Sequence, residues 1–571
     1  MSRPPIRRLV GLFCCLSLAF GTIVVRLVVL QVNQAGALQT RALDQRLREV
    51  ELPAWRGEIL DRSREPFALS IEARDVYADP RFVDDPWNTA VTIAPILGIE
   101  VGDLLPKLTA ETTFVYLARQ VGLDVAGRLE ALNLPGIGFL AVSKRVYPAG
   151  PLAPQVVGFA NIDGVGISGL ELQYQSLLAG KPGERTQELA EDGRSIAGGI
   201  HVEIPPVPGS DLVCTIDRYF QYQVQAALEE AVRQNHALGG TVVVMDPQTG
   251  EILAMASYPW FDPNAPGDAR PATWRNKAIT DAWEPGSVNK VITAAAAVQE
   301  HALPLNQRIA VPDQMQVGTF TIHDSDPHPV EQMTLGDIIA QSSNMGAVLV
   351  ARRLGSTELA NYLSLFGLGR TTGVGFPGES PGIVLPVDRW TDASLATIAY
   401  GQGISVTPLQ MISVYATIAN GGEWVQPRLV KGWISSDGTY HPAPASQTRR
   451  VVSEETAHMV TRMLAYAVQA GTGTAAQIPR YQVAGKTGTA RIPLPNGSGY
   501  FTDRSIASFI GFLPASAPRV VIAAILDRPA TVYGGIAAAP LFRQIARYAI
   551  ERLSIAPGRS LRLPPHALPV P

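Results

Sequence analysis

The strongest pattern in the chain lies at its start: an uncharged run from Leu9 to Val25, interrupted by Arg26 and apolar again as far as Val32. At ~1.5 Å of rise per residue, about 20 such residues cross a hydrocarbon core ~30 Å thick. Arg26 can snorkel toward the far interface along its methylene stem. The flanking Arg3, Arg7 and Arg8 predict a cytoplasmic N-terminus at residues 1–8, a transmembrane helix at 9–32 and everything later outside. Ala35-Gly36-Ala37 has the small-x-small form of a signal cleavage site. The apolar run nevertheless exceeds the about 7–15 residues usual in a cleaved signal, which favours an uncleaved anchor. No later stretch is long and apolar enough to cross, so the pattern predicts a single pass.

Residues 33–50 are polar with helical spacing and read as a juxtamembrane stalk. From Leu52 to Pro208, short β-like runs alternate with turns and no nucleophile–base pair is visible, which predicts a mixed α+β module over 33–208. Pro205, Pro206, Pro208 and Gly209 form a linker. Beyond it, Asp211–Asp217 reads as a strand, and Tyr219–Gln234 has helical spacing with Leu228 and Val232 on one face. Thr241–Asp246 and Glu251–Ser257 flank the turn Pro247-Gln248-Thr249-Gly250 and predict a hairpin. Helical stretches follow at Val288–His301 and Leu335–Leu354, then strands at Ser505–Leu513 and Val520–Leu526, then a helix from Pro540 to Leu553. Strands at both ends with helices between predict an α/β layer domain on an antiparallel sheet over 209–555. Residues 556–571 are a Pro-rich irregular tail.

A chain of 571 residues is too long for one core. The net charge of −3 gives no reason to expect nucleic acid. With Cys14 and Cys15 in the apolar run and Cys214 alone, no disulfide framework within a domain is possible.

Three short motifs carry the chemistry. Ser287-Val288-Asn289-Lys290 follows Glu284-Pro285-Gly286, so Ser287 falls in the first turn of a helix, where free N–H groups favour a developing oxyanion. Lys290, about one turn on, shares the face of Ser287. A serine needs a base, and a lysine serves only when uncharged; the apolar Val291, Ile292 and Ala294–Ala297 push its pKa down. Ser342-Ser343-Asn344 can send a hydroxyl and an amide into one cleft from a turn between helices, although Ser and Asn are also common helix caps. Gly485-Lys486-Thr487-Gly488-Thr489 lies between strand-like segments and offers a charge, hydroxyls and open backbone to a carboxylate on an extended peptide. A phosphate loop would need a glycine at position 480, which is Arg480. The run His323-Asp324-Ser325-Asp326-Pro327-His328 suits a loop better than a metal site, and no metal or other cofactor is expected.

Taken together, the three motifs resemble the S-x-x-K, S-x-N and K-T-G set of serine penicillin-binding enzymes. The resemblance extends to Met245-Asp246-Pro247, Gly250–Ala254, Phe261–Asn264, Tyr400–Gly403 with Thr407-Pro408, and Gly471-Thr472-Gly473. With Arg56-Gly57, Asp61-Arg62 and Gly169-Leu170-Glu171 it covers nearly the whole chain and is similar to the class B penicillin-binding proteins, of the septal, penicillin-binding protein 3 type. Asn289 stands where family members often carry another residue.

That resemblance implies a pedestal of the dimerisation type and a transpeptidase domain with the serine β-lactamase-like fold, an antiparallel sheet flanked by helices. It implies that Ser287 attacks the penultimate D-alanine carbonyl of a peptidoglycan stem peptide to form an acyl-ester, with Lys290 as base and Ser342 relaying the proton. Lys486 tunes the field, while Asn344, Thr487, Gly488 and Thr489 bind substrate. β-Lactams would acylate the same serine. The implied partners are a membrane-embedded glycosyltransferase and division proteins. The alternatives are an elongation-type enzyme of the same class, or a D,D-carboxypeptidase or β-lactamase-like hydrolase; the glutamate that class A lactamases use for deacylation is not identifiable here.

Overall fold

The computed structural model describes residues 6–34, 36, 46–188, 196, 199–318, 320–494, 499–531 and 533–562. Residues 1–5, Ala35 and Ala37 of the cleavage-site reading, the stalk from 37 to 45 and the tail beyond 562 lie outside them. The chain divides into two compact units, one of residues 1–55 with 180–208 and one of residues 56–179 with 209–571.

In the first unit, the helix Ile6–Val28 continues through a π turn at Val29–Asn33, and Ile6–Val32 is long and apolar enough to cross a membrane. None of its most apolar window is buried against protein. Of the described stalk residues, Gly36 and Arg46 are helical, but the stalk's end is not. Leu47–Leu52 is a strand, antiparallel to Gly183–Glu188, which in turn pairs with His201–Ile204. The partner strand lies far away in sequence, so local spacing did not reveal a ladder that satisfies the backbone groups.

The second unit is built on two sheets. The first runs Tyr440–Pro442, Val430–Ile434, Asp211–Cys214, Ile59–Leu60, Pro66–Ala78 and Val115–Val121, with Ile137–Val146 also paired to Pro66–Ala78. Behind it, Glu171 is fully buried and takes Arg56 Nε at 2.7 Å and Arg145 Nε at 2.7 Å on its two oxygens. This pairing explains why Arg56-Gly57 and Gly169-Leu170-Glu171 occur in one chain. They meet in space.

The second sheet has the order Ile252–Tyr258, Gly239–Met245, Val520–Asp527, Tyr500–Leu513, Ala484–Pro493, every neighbour antiparallel. The expected hairpin is its first pair. Side chains alternate across a strand, and here both faces are covered. Val242 and Val244 pack with Phe220, Leu228 and Phe542 from the helices Arg218–Gln234 and Gly534–Arg552. Val243 and Met245 face the helical layer that holds Val291, Ile292 and Tyr415. The Leu335–Leu354 stretch is two helices, Leu335–Gln341 and Asn344–Leu354. It breaks at Ser342, whose φ of 64° is left-handed, a conformation that costs a residue with a Cβ of order 1 kcal/mol or more.

Candidate active site

Pro285 and Gly286 turn the chain into a 3₁₀ segment, Gly286–Asn289, that runs directly into the helix Lys290–Gln299. Gly286 has a φ of 58°, and its N–H donates to Gly401 O at 2.9 Å. A Cβ on Gly401 would lie 2.1 Å from Gly286 O, so the Tyr400–Gly403 turn fits there only as glycine. The Asn289 amide donates to Ile398 O at 2.8 Å, and the Tyr415 hydroxyl donates to Val288 O at 3.0 Å. These bonds fix the backbone on either side of Ser287. The helix Lys290–Gln299 is buried on all sides, and its Ala294–Ala297 run lets neighbouring helices approach closely.

Lys290 is 0% exposed. Its Nζ lies 3.1 Å from Ser287 Oγ, 3.4 Å from Ser342 Oγ and 2.8 Å from Asn344 Oδ1, and also donates to Ser342 O. The left-handed turn at Ser342 presents both its carbonyl and its hydroxyl to that amine. Burial pulls the Lys290 amine down to about 7, against the opposing charge of Asp324. At neutral pH a large share is therefore free base.

The third motif forms the start of the last strand of the sheet, in register Lys486↔Ile510 and Gly488↔Ser508. Gly488 is required by space: a Cβ would lie 2.3 Å from Ser508 Oγ and 3.0 Å from Val288 Cγ1. This strand thereby seats against the residue that follows Ser287. Thr489 is exposed on it, and its Oγ1 accepts from Gly534 N at 3.1 Å. Lys486 is 1% exposed. Its Nζ donates to Thr487 O and Thr487 Oγ1, each at 3.2 Å. Burial, then the Lys290 charge, holds it well below the usual lysine range.

The structure thus brings Ser287, Lys290, Ser342 and Asn344 into direct contact, with Gly488 packed on Val288 and Lys486 close enough to sense the Lys290 charge. Sequence reasoning missed Thr472 and Asp324. Thr472 Oγ1 is 2.7 Å from Thr487 Oγ1 and 3.5 Å from Lys486 Nζ. Its signal was the pair of flanking glycines; a Cβ on Gly471 would lie 2.2 Å from Ala340 O. Asp324 lies in the run weighed above as a metal site. Its oxygens instead accept from Ser343 Oγ at 2.7 Å and Met345 N at 3.1 Å, and from Asn344 N.

Residues 240–547 match the penicillin binding protein transpeptidase domain and residues 51–214 the penicillin-binding protein dimerisation domain. The penicillin-binding protein PbpB of Mycobacterium tuberculosis is 37% identical, over 94% of this chain and 84% of that relative. The peptidoglycan D,D-transpeptidase FtsI of Escherichia coli K12 is 33% identical, over 96% of this chain and 92% of that one. The crystal structure of penicillin-binding protein 3 from M. tuberculosis complexed with aztreonam matches with a TM-score of 0.71 at 33% identity. It covers 90% of this chain and 100% of that one.

Proposed function

This chain belongs to the class B penicillin-binding proteins, and from that premise we propose that it is a septal peptidoglycan D,D-transpeptidase. The observation that carries the reaction is a fully buried amine, held near pH 7, within 3.1 Å of a serine hydroxyl on the same helical segment. Lys290, as free base, takes the Ser287 proton while Oγ attacks the penultimate D-alanine carbonyl. The N–H groups of Ser287 and Thr489 receive the oxyanion, a contribution of about 2.7–4 kcal/mol per donor in comparable sites. Ser342, in contact with Lys290, passes the proton to the departing D-alanine nitrogen, and the ester waits for the amine of a second stem peptide.

The Ala484–Pro493 strand ends the sheet order, which supports docking of an extended stem peptide along it, with Asn344 and Gly488 at the backbone. Thr487 and Thr489 bind the terminal carboxylate, and Lys486 tunes the field around Lys290 and Ser342. A β-lactam acylates Ser287 in the same way but keeps its leaving group tethered. In this reading residues 1–8 are cytoplasmic, 9–32 span the inner membrane once, 33–208 form the pedestal, 209–555 the transpeptidase domain and 556–571 the tail. The catalytic domain lies on the periplasmic side, and a membrane-embedded glycosyltransferase with division proteins supplies glycan strands. Ser287→Ala should abolish covalent labelling by a fluorescent penicillin; labelling that persists refutes the assignment. A fluorescent fusion should gather at midcell, and signal along the side wall would instead indicate elongation.

A further inference from the structure

We propose that Asp324, steadied by His328, is a positioning residue that sets both the placement of Asn344 and the proton affinity of Lys290. This rests on the reading of the site as a serine acyltransferase.

The carboxylate is 8% exposed and uses both oxygens. Oδ1 accepts from two successive backbone amides, Asn344 N and Met345 N. Oδ2 accepts from Ser343 Oγ at 2.7 Å and faces His328 Nε2 at 3.1 Å. Helix capping alone does not account for this arrangement. The helix Asn344–Leu354 already has its N-cap, because Ser343 Oγ accepts from Gly346 N at 2.8 Å. Asp324 grips the two residues after Ser342, and one of them, Asn344, touches Lys290. The neighbouring His323 carbonyl takes Asn344 Nδ2 at 3.1 Å, which turns Asn344 Oδ1 toward the lysine. A single loop therefore fixes the backbone, the hydroxyl and the amide orientation of the second motif.

The same carboxylate is the anion that Lys290 senses. The polar and charged groups around that amine are Ser287, Ser342, Asn344, Lys486 and Asp324. Asp324 in turn faces Ser343 and His328, and His323 Nδ1 contacts its carbonyl. Burial pulls the His328 imidazole down, but its bonds to Pro329 O and Asp324, with the charges of Asp324 and Glu331, outweigh this and raise it above the usual value. Without the Asp324 anion the desolvated amine would be a weaker base and would hold the proton it takes from serine less well. A protonated His328 weakens that pull, and a neutral one restores it.

The test is the pH profile of acylation of the full chain by a fluorescent penicillin. Asp324→Asn should move the acid limb down by roughly one pH unit, the scale of a single nearby charge, and should lower the plateau at least ~10-fold as Asn344 loosens. His328→Gln keeps a donor but removes the cation, so its acid limb should move up by a few tenths of a unit, the opposite direction. Opposite displacements identify a charge network that a purely structural role would not produce. Displacement in the same direction, or a lower plateau with an unmoved limb, overturns the proposal. Should Asp324→Asn not fold, the upward shift in His328→Gln decides alone, and its absence overturns the proposal. A wild-type protein that takes no label at all would strike the acyltransferase reading instead.

Discussion

Two of the places where the second unit buries charge treat it in opposite ways. Around Glu171, two guanidiniums share one carboxylate, Tyr147 OH donates to it at 3.2 Å, and Arg56 also reaches Gly164 O and Gln175 Oε1. Around Lys290, two amines are buried and the hydrogen-bond partners of Lys290 are a carbonyl, two hydroxyls and an amide, with the nearest carboxylate one residue removed. A charge fully paired when desolvated is inert and fixes geometry. A charge left without a contacting counter-ion gives up its proton, and is reactive. The contrast teaches that burial alone does not make a site; what matters is which charges are left unneutralised.

Lys290→Met breaks the comparison most severely. Acylation should fall by about 10²–10⁴-fold, the usual worth of a general base, measured as the rate of penicillin labelling. The same change should raise thermal stability. The folded amine titrates at about 7 against an ordinary value of 10.5, so between those values the unfolded chain holds a proton that the native one lacks. Stability of the wild type therefore climbs with pH through that window, and the gain from Lys290→Met should be greatest below pH 7 and vanish above about 10.5. Melting curves at several pH values check the sign.

Glu171→Ala should do the reverse. It strands two buried guanidiniums and should cost about 3–5 kcal/mol in denaturant unfolding, as removing one partner of a buried pair does. The acid limb of acylation should stay where it is. A shift in that limb would show that the two clusters are coupled. Tyr415→Phe is the mildest change. It removes one bond to the buried Val288 O and should cost about 0.5–1.5 kcal/mol while slowing labelling less than tenfold.

Much of this was legible in the sequence because it depends on local chemistry. The Ser287–Lys290 spacing set two groups on one helical face, and the apolar Val291, Ile292 and Ala294–Ala297 foretold the depressed amine. The Gly485–Thr489 run foretold a strand with open backbone, whereas the seating of Gly488 on Val288 appears only in the structure. The membrane-crossing helix followed from length and composition. Other features were hidden because they join distant segments. The Leu47–Leu52 strand has no partner until residue 183, and the turn between helices read at Ser342-Ser343-Asn344 gave no sign of which loop would grip it. Asp324 lay in a run that reads as a loop, and a list of residue types does not say which backbone amides a carboxylate will find.

The residues alone settled which groups could act: an alcohol, an amine one turn away, and a glycine-flanked lysine on a strand. They also pointed to a desolvated amine, since Val291, Ile292 and Ala294–Ala297 along the helix are apolar. Only the tertiary structure decided what surrounds that amine, because its surroundings come from loops and helices dozens of residues apart. Proton affinity depends on distance to charge and water, and distance between remote segments is a property of packing rather than of order along the chain.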